Sequence, residues 1–489
     1  MAEEREITVN EQSPNEYRSI LKRISAFGGV QIFSILINLV RGKFVALFLG
    51  PEGMGLSSML TSSTNTIQQF AGLGLNLSLV KEVAAQKEKG DVSGVLNVAL
   101  RLIYFTAILG CVVTLVLSPW LSKWSFGSYD YTLGFAILSA GVGLSVAGAG
   151  YLSLLQGLGE VRRLAWASVV GGLAGLLIGV PLYYFFGLAG IVPALLVYSV
   201  SLFLFYYFSL RKSTTYERQR FVWKESKPLV RKMISLGVVL MIGSLVGTLT
   251  NYILNVFVRS VGSLQDVGLF QAANSLTAQY SGIVFSALAL DYFPRLSAVA
   301  SDADKMRAVV NRQMEIVVLI VTPIIIGLML TAPLLIELLL SEEFMSVAPL
   351  MRWLGLGVLL QSVTFPMGYL FVAKDNKKIY VWMEVVLANV MWIICSVIFY
   401  FLYGLIGLGI SLVVRTFIDI FVSYFVCRHY YDYRISGRVL KIVAISLAFG
   451  AAGFVISLMP GKVLYFCLGI LLMISAAFSF TILRRGVKA

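Results

Sequence analysis

Apolar blocks of about 20 residues recur along almost the whole chain, and each is long enough for a helix to cross ~30 Å of hydrocarbon. Fourteen such blocks fall at 24–49, 54–80, 98–118, 131–157, 164–186, 190–210, 233–258, 267–290, 313–340, 349–372, 379–402, 405–427, 440–459 and 463–483. Lipid offers no partner to a free N–H or C=O, so each block is committed to a helix. Only 13% of residues are charged and 58% are hydrophobic, against the ~25% charged of a soluble domain. The expectation is an all-α, polytopic membrane protein with about 14 transmembrane helices.

The chain carries 39 Lys and Arg against 25 Asp and Glu, a net charge of +14. With the N-terminus inside, only Lys123, Arg259 and Lys462 fall on external segments. Arg41, Lys43, Arg352 and Arg415 lie within spans or at their edges. The remaining basic residues collect on cytoplasmic segments, the bias that fixes orientation. Both termini are therefore expected in the cytoplasm, and the basic charge signals topology and a lipid surface, with no nucleic-acid partner. Residues 1–18 are polar and acidic, unlike a signal peptide, and read as part of a short flexible tail. Cys111, Cys395, Cys427 and Cys467 lie in or at the ends of spans without CxxC spacing and read as small buried apolar residues.

The two halves echo each other. "FGLAGIVPALLVY" at 186–198 matches "YGLIGLGISLVVR" at 403–415 with both glycine pairs aligned. "LGEVRRLAWASVV" at 158–170 matches "KDNKKIYVWMEVV" at 374–386, and Gly50 to Leu56 resembles Gly262 to Leu269. The unit is six spans, an even number, so both copies share one orientation. Parallel repeats of this kind build transporters whose lobes rock about a central site. The expected division is a tail (1–22), an N-lobe (23–212), a basic linker (213–231), a C-lobe (232–430) and an extra span pair with the C-terminus (431–489).

On span 1, Gln31, Ser34, Asn38 and Arg41 form one stripe about 80° wide. On the repeat-related span 7, Ser244, Thr248, Asn251 and Asn255 line up more tightly. Span 2 adds Thr61, Asn65 and Gln68, and span 8 adds Gln271 and Asn274. Either these groups bond helix to helix, or both stripes face one wet cavity. Matched stripes on related helices favour the cavity. Arg41 exists only in the first copy. Its planar fork suits bidentate phosphate binding; the alternative is a buried ion pair with a carboxylate of another helix. Lys43 points about 200° away, so it cannot share Arg41's cavity wall; it either snorkels outward or pairs between helices. Glu315 and Glu384 are the candidates for ion or proton coupling. Arg415 and Asp419, one turn apart, are expected to pair, and Glu337 with Arg352 either pair or are hydrated at the outer ends of adjacent spans.

Catalytic machinery is missing from the sequence. It has no HExxH, no phosphate-binding loop and one histidine, His429, in the interfacial stretch "CRHYYDYR". The expectation is a transporter rather than an enzyme, with no metal or cofactor, driven by an ion gradient, the membrane potential or the substrate gradient.

"VRGKFVALFLGPEGMGL", followed by "AGLGLNLSLVKEVA", resembles the N-terminal signature of bacterial O-antigen translocases and related polysaccharide exporters. "LLQGLGEVRRLAWASVVGG" at 154–172 is similar to that family's loop between spans 4 and 5. These flippases share a superfamily with the multidrug and toxin extrusion antiporters and the lipid II flippase. The resemblance covers residues 20–430. It implies two six-helix lobes that carry an undecaprenyl-diphosphate-linked oligosaccharide across the bacterial inner membrane, with membrane lipids and other polysaccharide-assembly proteins as partners. It also implies that Arg41 serves the diphosphate and that spans 13 and 14 offer a groove to the lipid tail. The rival expectation is a drug or cation antiporter of the same superfamily.

Overall fold

A computed structural model describes residues 14–89, 92–213, 223–459, 461 and 463–488. Residues 1–13 of the predicted tail and 214–222 of the predicted linker lie outside the described residues; 14–22 instead open α1 and 223–231 open α7. The first half comprises α1 (Pro14–Ala71), α2 (Leu75–Lys89), α3 (Val92–Phe126), α4 (Thr132–Gly157), α5 (Val161–Phe186) and α6 (Ile191–Ser213). The second comprises α7 (Trp223–Val261), α8 (Leu264–Ala298), α9 (Ala303–Leu339), α10 (Ala348–Ala373), α11 (Lys377–Tyr403) and α12 (Leu405–Tyr431). Two further helices, α13 (Gly437–Ser457) and α14 (Val463–Lys488), pack on α9 and on each other.

Eleven segments among the described residues are long and apolar enough to cross a bilayer. Two of these hold two crossings each: Phe33–Ala71 is broken at Gly50 and Val161–Ser213 at Gly187. With α8, whose amides dilute its hydropathy, the chain makes fourteen crossings. At Gly50 the backbone takes φ 62° and ψ −165°, a conformation essentially confined to glycine, with Pro51 following directly.

The expected second span does not run to residue 80. It ends at Ala71, and Leu73 and Gly74 turn the chain with positive φ values of 49° and 61°. The next segment, "LNLSLVKEVAAQKEK", is too charged for hydrocarbon. It forms a separate amphipathic helix packed on α3, α4 and α7.

Glycines join the halves by backbone contact. A Cβ on Gly55 would lie 2.0 Å from the Leu264 carbonyl oxygen, and one on Gly268 would lie 1.9 Å from that of Pro51. These are the repeat-related positions, so the motif seen twice in the sequence is where its two copies cross. Around this crossing one apolar core runs through both halves, including Met59, Leu60, Val267, Phe270 and Met351. Helices in lipid gain little from excluding water from one another, so close packing of small residues carries such a joint. At the same end Ser125 and Tyr252 share a hydrogen bond of 2.9 Å, and Arg259 donates to the Phe126 carbonyl. At the opposite, basic end Gly237 meets the Leu73 carbonyl oxygen, 2.4 Å from where its Cβ would stand. Beside it, Lys232 Nζ donates to the buried Glu82 at 2.8 Å. The halves touch at both ends and part between them.

Candidate functional site

Two adjoining cavities, one within the first half and one between the halves, share a single lining helix. The kinked α1 presents Asn38 and Arg41 before its break and Thr61 and Asn65 after it to each cavity. The spacings of three and four residues put each pair on a single helical face.

The first cavity, about 380 Å³, lies within the first half between α1, α4 and α6. Gln68 and Thr64 extend the polar wall of α1, while α6 brings Tyr198, Ser199, Phe203 and Tyr206. Opposite them α4 brings Gly141, Ser145 and Gly148. Ser145 donates to Ser199 Oγ at 3.0 Å, and Tyr206 shares a 3.0 Å hydrogen bond with Ser168. The second cavity, about 390 Å³, lies between the halves. Facing Ser57, Ser58 and Ser62 of α1 are Thr248, Asn251 and Asn255 of α7 and Gln271, Asn274 and Ser275 of α8. Of the two polar stripes, Asn38 and Arg41 of α1 and Thr248, Asn251 and Asn255 of α7 line this cavity, while Ser244 donates to Gln69 Oε1 at 3.3 Å, helix to helix. Asn251 Nδ2 donates back to the Gly247 carbonyl at 3.1 Å, and Thr248 Oγ1 to that of Leu245 at 3.0 Å.

Arg41 is the one charged residue lining either cavity among the described residues. None of the ion pairs found among them involves it. Its guanidinium carbon sits 5.1 Å from the centre of the Tyr198 ring, a cation–π contact that orients the group without neutralising it. Lys43, on the other face of α1, donates to the Leu338 carbonyl of α9 at 2.5 Å. Two cations two residues apart thus have different employment: Lys43 joins helices, and Arg41 faces the cavities.

Ser34 is half-buried and lines neither cavity. Gln31 lies in α1, but its side chain falls outside the described residues. Tyr198 and Ser145 are lining groups that lie outside the amide stripes. Their signal is the Gly141–Ser145–Gly148 face of α4, which leaves room for the aromatic side chains of α6.

The coupling candidates separate. Glu315 is buried on α9 and accepts from Arg438 Nη2 at 3.0 Å. Glu384 lies in a π-helical turn, Val381–Leu387, that interrupts α11, a distortion frequent at functional sites. It opens onto a third cavity of about 300 Å³ together with Arg415 and Asp419. The expected Arg415–Asp419 ion pair is absent from those found among the described residues. Arg415 turns over the Trp392 ring, 5.7 Å from its centre, while Asp419 accepts from Ser423 Oγ at 3.1 Å. Both headgroups thus have other partners. Arg352 likewise does not pair with Glu337; it donates to the Ser457 carbonyl at the end of α13 at 2.6 Å, where a helix terminus favours a cation. The four cysteines are free. His429 stacks beside Phe425 and edge-on to Tyr430 at the end of α12.

A fourteen-crossing bundle of two like halves, with a polar chamber between them, is an architecture of membrane transporters. The fold is that of the lipid II flippase MurJ in its inward closed conformation, with a TM-score of 0.72 at 15% identity over 95% of this chain and 99% of that one. An inward-facing multidrug resistance MATE transporter of the MOP superfamily superposes with a TM-score of 0.68 at 19% identity, over 82% of this chain and 94% of that one. Residues 44–349 match the polysaccharide biosynthesis protein family, and the chain belongs to it. A relative is the lipid III flippase of Escherichia coli (strain K12), 24% identical over 357 residues that make up 71% of this chain and 84% of that protein.

Proposed function

We infer that the protein is a flippase for a lipid-linked oligosaccharide of O-antigen or similar surface-polysaccharide type, carried on undecaprenyl diphosphate. The observation that supports this most is Arg41: a cation with no carboxylate partner among the described residues, set where two otherwise neutral chambers join. A half-buried cation within a membrane span is costly and is retained where it serves a function. Its fork matches the oxygens of a diphosphate. Asn65, Asn251, Asn255, Gln271 and Asn274 offer amides to sugar hydroxyls, and Tyr198, Phe203 and Tyr206 offer faces for stacking. The names of the relatives point the same way: a lipid III flippase and the lipid II flippase MurJ.

In this reading the halves are lobes that open alternately to the cytoplasmic and outer leaflets of the bacterial inner membrane, with both termini cytoplasmic. The contacts at Gly55/Gly268 and Gly74/Gly237 are the two places that must yield in turn. Glu384 is the group through which an ion or proton would bias the cycle, since Glu315 already has Arg438. A cation antiporter would need an acid in the central chamber, where the one charge that lines it among the described residues is positive.

Arg41→Ala tests the assignment in cells. Surface glycan is expected to be lost while the variant reaches the membrane at the parent's level. Normal surface glycan from a normally expressed variant would remove Arg41 from the diphosphate role.

A further inference from the structure

α13 and α14 lie outside the two central chambers, and they hold a site of their own. They run antiparallel, so the start of α13 and the end of α14 stand side by side at the basic end of the bundle. Between them is an open cleft of about 580 Å³, lined by Arg438, Lys441, Ile442, Ile482 and Arg485. Three cations share it, and among the described residues no carboxylate lines it. Like charges so placed repel, and each is stabilised by an anion between them.

Glu315 does not meet that need. It is buried behind the cleft, its side chain 7% exposed, and it takes up one charge through Arg438. The Arg438 side chain stays 59% exposed, and neither Lys441 nor Arg485 occurs in the ion pairs found among the described residues. The start of α13 adds the positive end of a helix dipole at the same place. Its cap is a serine, Ser436, whose Oγ accepts from the Val439 amide at 3.3 Å and brings no charge. Close to the lining residues in the chain, Leu440 and Phe480 are exposed apolar side chains. A free phosphate would satisfy the cations and leave this apolar surround unused. An amphiphile with an anionic phosphate head and acyl tails uses both. Basic pockets between membrane helices on the cytoplasmic side bind such headgroups.

We propose that the cleft between α13 and α14 is a binding site for the headgroup of an anionic phospholipid of the inner leaflet. It stands independently of the function proposed above.

The test is native mass spectrometry of the purified full-length protein, titrated with dioleoylphosphatidylglycerol and, separately, dioleoylphosphatidylcholine. The glycerol lipid is expected to form discrete adducts at lower concentration than the choline lipid. Lys441→Gln with Arg485→Gln, which leaves the Arg438–Glu315 pair intact, is expected to weaken them on the order of 20-fold, about fivefold per charge removed. The exchange variant Lys441→Arg with Arg485→Lys keeps the charge and is expected to keep the adducts, which separates loss of the site from loss of the fold. Adducts unchanged in the glutamine variant would place the lipid elsewhere and overturn the proposal. Equal binding of the two lipids, or displacement of phosphatidylglycerol by an equal concentration of inorganic phosphate, would also overturn it. Displacement by undecaprenyl diphosphate would assign the cleft to cargo instead of membrane lipid.

Discussion

Arg41 combines a charge, a planar fork and a ring beneath it, and these can be removed one at a time. Lysine keeps the charge and loses the fork, so Arg41→Lys is expected to retain membrane insertion while translocation falls about tenfold or more, the value of one good charge-assisted bond. Tyr198→Phe keeps the ring face and is expected to leave translocation close to the parent's. Tyr198→Leu removes it, and a cation–π contact of about 0.5–2 kcal/mol implies a loss of about two- to 30-fold. The rate of appearance of a labelled lipid-linked glycan in the outer leaflet reads all three. Equal rates for the phenylalanine and leucine variants would mean that the ring does not orient the guanidinium. The spacing within α1 was enough to select Asn38 and Arg41 from the sequence. It could not supply Tyr198, because that residue arrives from a helix distant in the chain that carries no amide stripe. Nor could it reveal that Arg415 and Asp419 do not close into an ion pair: adjacency on a helix permits one, and the Trp392 ring and Ser423 hydroxyl offer each group another partner.

Helix contacts make a second set of predictions. Gly268 faces a backbone oxygen, which has no rotamer with which to move aside, so Gly268→Ala must push α1 and α8 apart. Overpacking costs about 1–3 kcal/mol, and the thermal unfolding midpoint of the purified protein should fall accordingly. Gly247 has open space where its Cβ would be, and Gly247→Ala is expected to leave that midpoint unchanged or slightly raised. Equal midpoints for both variants would show that the glycine crossing bears no load. At the other end Lys232 reaches across the halves to Glu82. Lys232→Glu sets two carboxylates against each other and should increase alkylation of a cysteine placed at Asn251, whereas Glu82→Lys combined with Lys232→Glu should restore protection. Failure of the double exchange to restore it would deny the pair a closing role. The glycine crossing was visible in the sequence as a short repeat, though only the packing shows that its copies touch. The end of the second crossing at Ala71 was not visible. A run of apolar residues continues past it, and what stops the helix is a backbone reversal at Leu73 and Gly74 docked on Gly237.

Fourteen crossings follow from apolar length, since the bilayer leaves a chain so few options. The chambers between the halves do not follow from length. They depend on which face each helix turns inward, and that emerges where amide stripes on both halves confront each other. A whole-molecule prediction comes from charge. If two negative charges leave the cytoplasm with the cargo, an inside-negative potential favours export by about 4.6 kcal/mol per 100 mV. The experiment is translocation of a fluorescent undecaprenyl-diphosphate oligosaccharide in proteoliposomes, with the potential set by a potassium gradient and valinomycin. Transport by the parent protein is expected to quicken with a potential negative on the side holding the cargo, and Arg41→Ala liposomes should match protein-free ones. Parent-level transport by Arg41→Ala, or none by the parent protein, would contradict the account.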